Sequence, residues 1–320
     1  LQRLNSLLQG GPLFRGQTMK MTGTVPATFV PKMTANVAGF PMALDGSYNF
    51  DVTGTTNAFT TMFHGMGVGG IPIVPALSVH SDPQYIAAAA SAAGAYAPGM
   101  VVQVPLADLP HVHGWVTSLQ GWNPADIDLV IEAGGVAQHN PTMFGTYVSH
   151  TINGIVPTVH PWRSIALNSW SAPQDHGPLN RGRNVVPRRD WQMWMHAHPG
   201  VGFQLDYSDC GHLHPSLDEV PGYAMANATV SVRYAVDNEW IVIKGVATTG
   251  PHGIDMRTQY RGHAQALVGE PAFGGLAGCW GDTRIQHYSM VAPGVGAGGR
   301  PQWAAVLLNR HISLVADRLP

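Results

Sequence analysis

The sequence predicts an α/β fold, a (β/α)8 TIM-like barrel with a C-terminal β-hairpin as an insertion or final strand. Two observations predict it. Strand-like and helix-like segments alternate at intervals of about 30 to 40 residues, which is typical of βαβ units around a parallel sheet. The number of such units, about six or seven, favours a barrel over an open sheet. Residues 46–320 are therefore predicted to form one barrel domain, preceded by an N-terminal segment of residues 1–45.

The hairpin is the most clearly defined element. Residues 227–245 read NATVSVRYAVDNEWIVIKG, in which apolar and polar residues alternate on both sides of Asp237-Asn238. Alternation on both sides of such a pair is typical of two antiparallel strands joined by a tight turn. The hairpin gives the C-terminal half of the chain its predicted framework.

The other elements follow from apolar runs and from helix start signals. Strands are predicted for the runs 48–52, 71–80, 100–106, 126–135 and 164–170. Helices are predicted for residues 55–66, 83–96, a stretch around Trp115, 141–150, 187–197 and 303–319. Two of these helices begin with proline after Asp or Asn, at Pro83 and Pro141, where proline is tolerated and the preceding side chain can cap the helix. The glycine-rich residues 294–300 are predicted to form a loop.

The segments around the hairpin have a characteristic order. Before the hairpin stand VPRRDWQMW (186–194) and FQLDYSD (203–209), and after it stand QYRGHAQAL (259–267), WGDTRI (280–285) and WAAVLLNRHISLV (303–315). In this order they resemble the beta protein family of T-even bacteriophages, which also occurs in bacterial genomes. The family's first strand, with a lysine and a glutamate behind it, is not recognisable in residues 1–45. The resemblance implies a barrel of phage or prophage origin, located in the bacterial cytoplasm or on a phage particle.

The composition disfavours several classes of protein. Charged residues make up 11% of the chain and the formal charge is −2, so nothing draws it generally to nucleic acid or to a membrane surface. Two cysteines, Cys210 and Cys279, do not make a disulfide framework and favour a reducing compartment. No apolar run is long enough to span a bilayer. Phosphate loops, dinucleotide-binding loops, serine hydrolase elbows and Cys-X-X-Cys motifs are absent.

Polar residues at the carboxyl ends of the predicted strands are candidate site residues, because barrel enzymes place their sites there. The candidates are Asp51, His80, Gln103, Glu132, Asn168, Ser169, Asp206, Asp209 and Arg233. Glu132 directly follows an apolar run, and a carboxylate at the end of a buried strand is costly unless it is paired. Asp206 and Asp209 beside Arg233 could bind a divalent metal with a phosphate or act as an acid and base pair. They could equally hold the arginine of the hairpin in place.

Three further features have two interpretations each. Asp282 in WGDTRI either bonds its own backbone in a turn or belongs to a site. Four arginines in residues 181–189 could hold phosphates; alternatively, Arg188 and Arg189 lie in the first turn of an exposed helix and pair with Asp190 or neighbouring acids. The His-X-His pairs lie off clear strands, so zinc is the less favoured interpretation for His111/His113, His196/His198 and His212/His214.

Two functions remain open. The first is a binding or interaction protein in a phage–host context, because no complete catalytic set is present and Trp and Arg are typical of binding hot spots. The alternative is a metal-assisted phosphoester hydrolase with Glu132, Asp206 and Asp209 as metal ligands or acid and base groups, and with Arg233 on the phosphate. The candidate binding residues are Asp51, Asn168, Arg188, Trp240, Lys244 and Asp282. The expected partner is a phage or host protein or a phosphorylated small molecule; no cofactor is identified, and neither membrane nor nucleic acid is expected.

Overall fold

The computed structural model describes residues 27–37, 39–119, 122–172, 178–211 and 229–320. The chain forms two compact units. Unit 1 comprises Leu1–Trp170 and Gln192–Cys210, and unit 2 comprises Ser171–Trp191 and Gly211–Pro320. The division into an N-terminal segment and one domain of residues 46–320 stays a prediction.

The described residues contain nine strands and ten α-helices. The strands are β1 (Met42–Asp45), β2 (Ile73–Ser78), β3 (Met100–Pro105), β4 (Ile127–Gly135), β5 (Ser164–Trp170), β6 (Gly182–Pro187), β7 (Asp206–Asp209), β8 (Thr229–Ala235) and β9 (Glu239–Ala247). The helices are α1 (Phe29–Val37), α2 (Ser47–Thr53), α3 (Asn57–Val68), α4 (Pro83–Ala92), α5 (Val112–Ser118), α6 (Pro141–Ile155), α7 (Arg189–Ala197), α8 (Met256–Val268), α9 (Trp280–Met290) and α10 (Arg300–Arg318).

Unit 1 is built on a parallel sheet of six strands in the order β1-β2-β3-β4-β5-β7. The sheet is curled like half of a barrel. Its central strands are almost wholly buried, as parallel strands covered on both faces require. The mixed α/β class is confirmed, but the closed eight-stranded barrel is not, because the described parallel strands number six.

Helix starts in unit 1 agree with the predicted caps. The side chain of Asp82 accepts a hydrogen bond from the backbone of Gln84, and α4 begins at Pro83. The side chain of Asn140 accepts one from the backbone of Met143 at the start of α6. Each cap satisfies a backbone N–H that has no partner within its own helix.

The first strand lies earlier than predicted. Residues 48–52, predicted as a strand, belong to helix α2, and the strand is β1 instead. The physical reason lies at Asp45, whose carboxylate accepts hydrogen bonds from the backbone N–H and the hydroxyl of Ser47. These local bonds turn the chain into a helix despite the β propensity of its aromatic residues. Gly54, with a φ of 66°, ends the helix in the left-handed conformation.

Unit 2 is built on an antiparallel sheet in the order β6-β9-β8. The predicted hairpin is confirmed as β8 and β9, closed where the Val236 N–H bonds the Glu239 carbonyl. The predicted helix start at Pro187 is wrong: Pro187 ends the edge strand β6, and α7 begins at Arg189. Proline suits an edge strand because a missing N–H there removes no bond from a central ladder.

Helices α8, α9 and α10 contribute to one hydrophobic core with the hairpin. Trp303 of α10 stacks on Tyr260 of α8 with ring centroids 5.1 Å apart, and Tyr288 of α9 packs at 5.6 Å. The apolar face of β8 completes this core with Val230, Val232 and Tyr234. Full burial of each large apolar side chain contributes about 1.5–3 kcal/mol, so this core is the main apolar contribution to the stability of unit 2.

A buried ion pair stands at the amino ends of β4 and β5. Asp128, whose side chain is 5% exposed, accepts hydrogen bonds from Nε and Nη2 of Arg163 and from the hydroxyl of Ser164. The hydrogen bonds to Asp128 raise the pKa of Arg163. The pair ties the beginnings of two neighbouring strands together.

We expect Asp128→Asn to lower the free energy of unfolding by about 2 kcal/mol. The substitution replaces a charge-assisted hydrogen bond with a neutral one, and the N–H groups of the new amide face the N–H groups of Arg163. Arg163 is 32% exposed, which keeps the loss below that of a fully buried pair. Urea unfolding of the variant and the wild type measures this loss in the free energy of unfolding. Asp126→Asn makes the same change at an exposed position nearby and should alter stability by less than about 0.5 kcal/mol. Equal losses in the two variants would refute the role of the pair.

The second prediction concerns His263 of α8, whose Nε2–H donates to the Val230 carbonyl at 2.9 Å. Burial lowers the pKa of His263, and the bond to Val230 raises it to a smaller extent. The unfolded chain therefore binds the proton more readily, and stability falls as pH drops below about 6.5. His263→Gln keeps an N–H donor that does not titrate, so it should lose less stability between pH 7.5 and 5.5 than the wild type. The exposed variant His252→Gln should keep the wild-type pH dependence.

Candidate functional site

Strand register decides which polar residues of unit 1 lie together. Glu132 of β4 pairs with Asn168 of β5, and Asn168 pairs with Ser208 of β7. Paired residues point to the same face of a sheet. The Ser208 hydroxyl indeed donates to Oδ1 of Asn168 at 3.2 Å. These three residues, here called the polar row, stand side by side at the carboxyl edge of the sheet.

The same face carries further polar groups one step below the row. Gln103 of β3 pairs with Ser78 of β2, and both side chains are half-buried. Beside and below them the face carries one buried cluster of small apolar side chains, Ala43, Val74, Ala76, Val101, Val130 and Ala166. The polar row therefore stands above these apolar side chains, and Asp128 and Ser164 lie on the same face at the amino edge.

The two carboxylates of the DYSD segment are not brought together. Asp206 starts β7 and pairs with Ala166, so it shares the face of the polar row but lies two residues toward the amino edge. Burial raises its pKa, against a bond from Gln204 that lowers it. Asp209 follows Ser208 directly and points to the opposite face, where its carboxylate accepts a hydrogen bond from Tyr207.

A second group of acids stands after β1 and β2. Asp51 lies exposed on α2, and burial together with the charges of Asp45 and Asp82 raises its pKa. Asn49, on the same helix, is 6% exposed, and its Oδ1 accepts no hydrogen bond from the described residues. A buried acceptor of this kind favours a ligand that carries an N–H or O–H donor.

Side chains after β2 and β3 add one more carboxylate to this edge. His80 Nε2 lies 2.7 Å from Asp108 Oδ2. The described residues of unit 1 contain Lys32 and Arg163 as their only lysine or arginine. Arg163 bonds Asp128 at the amino edge, and Lys32 lies on α1 before β1. The described carboxyl edge of unit 1 thus carries several carboxylates and one histidine.

The remaining candidates of the hairpin belong to unit 2. Burial lowers the pKa of Arg233 in β8 to about 10. Trp240 is fully buried in β9, and Lys244 donates to the Leu179 carbonyl at 2.7 Å. Arg233 therefore lies in a different sheet from Asp206 and Asp209.

Asp282 forms a buried cluster with a tyrosine and an arginine. It lies in the first turn of α9, where its carboxylate accepts the Tyr234 hydroxyl at 2.8 Å and Nη1 of Arg310 at 3.1 Å. The interpretation as a self-bonded turn is wrong. Cys279 caps the helix instead, since its Sγ accepts a hydrogen bond from the Asp282 N–H at 3.4 Å.

The glycines before α9 have a packing role around this carboxylate. A Cβ at Gly274 would lie 2.2 Å from Oδ2 of Asp282, and a Cβ at Gly278 would lie 2.4 Å from it. No side chain fits at such distances unless the carboxylate moves. The backbone of this loop therefore packs directly against the carboxylate of Asp282.

The comparison with protein families gives one match. The sequence model described as Beta protein matches residues 31–317. The chain belongs to the Beta protein family. The predicted resemblance to a beta protein family is confirmed by this match. Neither the search of curated proteins nor the search of solved structures gave a match.

The described ranges hold no group of three or more His, Cys, Asp or Glu residues that could bind a metal ion. His196 bonds the Thr142 hydroxyl, His198 stacks on Trp194, and His113 meets Trp162 edge-on. The pair His212/His214 lies outside the described residues. No helix in the described ranges has the length and apolar character that crossing a bilayer requires.

Sequence reasoning missed Ser208 and Asn49 in this Beta family protein. Ser208 lies between Asp206 and Asp209, which the sequence predicted as the site residues of this segment. Only the pairing of β5 with β7 places Ser208 beside Asn168. Asn49 belongs to residues 48–52, which were predicted as a strand, and the sequence did not predict that its side chain is buried on a helix. The available signal for Ser208 was the alternation of side chains along a strand, which separates it from Asp209.

We expect Asp282→Asn to lower the free energy of unfolding by about 3 kcal/mol, because it leaves the Arg310 charge without its buried partner. Chemical denaturation of the full chain measures this loss. Asp317→Asn removes a carboxylate from an exposed position on α10 and should change stability by less than about 0.5 kcal/mol. A loss no larger in Asp282→Asn than in Asp317→Asn would contradict the structural role of the cluster.

Proposed function

We propose that this Beta family protein is a binding protein of phage or prophage origin that holds an ammonium or guanidinium group at the carboxyl edge of its parallel sheet. One observation carries the proposal: the polar row of Glu132, Asn168 and Ser208 brings a carboxylate, an amide and a hydroxyl together at the carboxyl edge of the sheet. The bound group belongs either to a small amine or to a Lys or Arg side chain of a phage or host protein.

The chemistry of the polar row suits a donor-rich cation. The half-buried carboxylate of Glu132 supplies the negative charge, and the amide and hydroxyl oxygens beside it accept hydrogen bonds. An ammonium group offers three donors and a guanidinium five, which matches a surface rich in acceptors. Two unit charges about 4 Å apart near a protein surface attract by roughly 4 kcal/mol before desolvation, enough to orient such a group.

The alternative of a metal-assisted phosphoester hydrolase has less support. Its proposed acids Asp206 and Asp209 point to opposite faces of the sheet, so the two carboxylates do not form one pair. A phosphoester at the polar row would meet the carboxylate of Glu132, and two negative charges at such a distance repel each other. An anionic substrate is therefore disfavoured at this edge.

The phage context rests on the resemblance of the C-terminal segments to the beta protein family of T-even phages. On this proposal the protein acts in the cytoplasm of an infected or lysogenic bacterium, or on the phage particle. A phage or host protein that presents a basic side chain would then be its partner. Titration with a lysine-rich peptide and with free amines distinguishes such a partner from a small amine.

The test is isothermal titration of the full chain with spermidine, with arginine and with a lysine-rich peptide. Glu132→Gln should weaken binding at least about tenfold, because it removes the charge while keeping the shape of the side chain. Binding should also weaken with added salt. Asp126→Asn removes one carboxylate at the amino end of β4 and should leave the affinity unchanged.

The titration arms separate the two sources of the cation. Binding of spermidine or arginine points to a small amine, whereas binding of the peptide alone points to a protein partner. Equal affinities in Glu132→Gln and the wild type would refute the site. Absence of binding by all three probes would refute the function.

A further inference from the structure

A second feature, in unit 2 and independent of the polar row, concerns the buried side chain of Arg188. This residue follows β6 and is fully buried, so its sequence interpretation as part of an exposed helix is wrong. Its Nη1 donates to the carbonyls of Val236 and Asp237 at 3.3 and 3.4 Å. The guanidinium also lies over the rings of Trp240 and Trp191, at 5.1 and 5.6 Å from their centroids.

One edge of this guanidinium has no hydrogen-bond acceptor among the described residues. Nε and Nη2 of Arg188 are both shielded from solvent and both unpaired. In two other arginines of the chain, the corresponding Nε and Nη2 atoms donate to a carboxylate. Those of Arg163 donate to Asp128, and those of Arg183 donate to Glu270. The edge of Arg188 is thus the two-pronged donor that planar oxyanion recognition uses.

A second arginine lies beside it. Arg318, in the last turn of α10, stands over the Trp191 ring at 4.8 Å and donates to the Asp237 carbonyl. Burial lowers the pKa of Arg318, and the positive charge of Arg188 lowers it further, against the opposite effect of Asp237. The Asp237 carboxylate lies 3.9 Å from Arg318 and is 81% exposed, so it balances this charge weakly.

We infer that Arg188 and Arg318 form a binding site for one oxyanion, a phosphate or carboxylate group held by Nε and Nη2 of Arg188. Two guanidinium groups near the hairpin turn give the site its positive charge, and the two tryptophan rings fix the plane of the Arg188 fork. Both donor atoms are shielded, so an anion reaches them through a local opening. On this inference, movement of the Arg318 side chain, which is 27% exposed, provides that opening.

A purely structural role explains these contacts less well. Two carbonyls and two aromatic rings stabilise the charge of Arg188, but Nε and Nη2 remain without an acceptor in the described part of the chain. A buried arginine without a compensating anion lowers the stability of a fold. An apolar side chain of similar length would fill the same space at a lower cost in desolvation. The retained arginine is therefore explained by an anion that bonds its free edge.

The experiment compares melting temperatures of the full chain in inorganic phosphate and in chloride at equal ionic strength. Phosphate well above its dissociation constant should raise the wild-type melting temperature by about 2–4 °C. Arg188→Met should abolish this rise. In chloride it should melt at or above the wild-type temperature, because it removes an unpaired buried charge. Arg188→Lys keeps the charge without the fork and should need at least about tenfold more phosphate for the same rise.

Arg181→Met is the matched control, an exposed arginine of the same sequence cluster, and should respond to phosphate as the wild type does. Acetate and a nucleoside monophosphate, tested in the same assay, distinguish a carboxylate from a phosphate ester as the preferred source of the group. Absence of a rise in all three salts overturns the inference, as does a wild-type rise in Arg188→Met. Should Arg188→Met fail to fold, Arg318→Gln decides: a weakened response supports the site and an unchanged one overturns it.

Discussion

The two-residue period of a β-strand is the constraint on which the candidate site of unit 1 depends. Each side chain of the parallel sheet points to one of two faces, and the register between neighbours decides which residues share a row. A step of one residue, from Ser208 to Asp209, moves a side chain from the polar row to the opposite face. The pairing of β4, β5 and β7 therefore selects a glutamate, an asparagine and a serine, and excludes the aspartate beside them.

Local patterns predicted the elements well, and non-local contacts account for what they missed. The hairpin, the strand at 164–170 and the helix caps depend on neighbouring residues, so their signals are present in short stretches of sequence. Strand pairing and burial depend on distant segments, and the sequence alone does not reveal them. For this reason Asp206 and Asp209 were expected at one site, and Arg188 was assigned to an exposed helix as the alternative to phosphate binding.

Buried polar side chains hold the helices of unit 2 to its hairpin. Gln259 of α8 bonds the backbone of β9, His263 bonds the Val230 carbonyl of β8, and Asp282 of α9 bonds the Tyr234 hydroxyl. Buried polar groups must find such partners, so these bonds fix where each helix lies on the sheet. The segments that carry the family resemblance, QYRGHAQAL and WGDTRI, contain these residues. The resemblance in these segments therefore reflects the architecture of unit 2 and does not by itself identify a catalytic group.

The uneven distribution of charge has a consequence for any molecule that approaches this protein. The formal charge of −2 averages over the chain, whereas the described carboxyl edge of unit 1 is acidic and the Arg188 region is basic. At physiological salt an electric field decays over about 8 Å, so an approaching ion experiences nearby groups and little of the total. An isoelectric point near neutrality, which suggests indifference to ions, is thus compatible with attraction of cations at one place and anions at another.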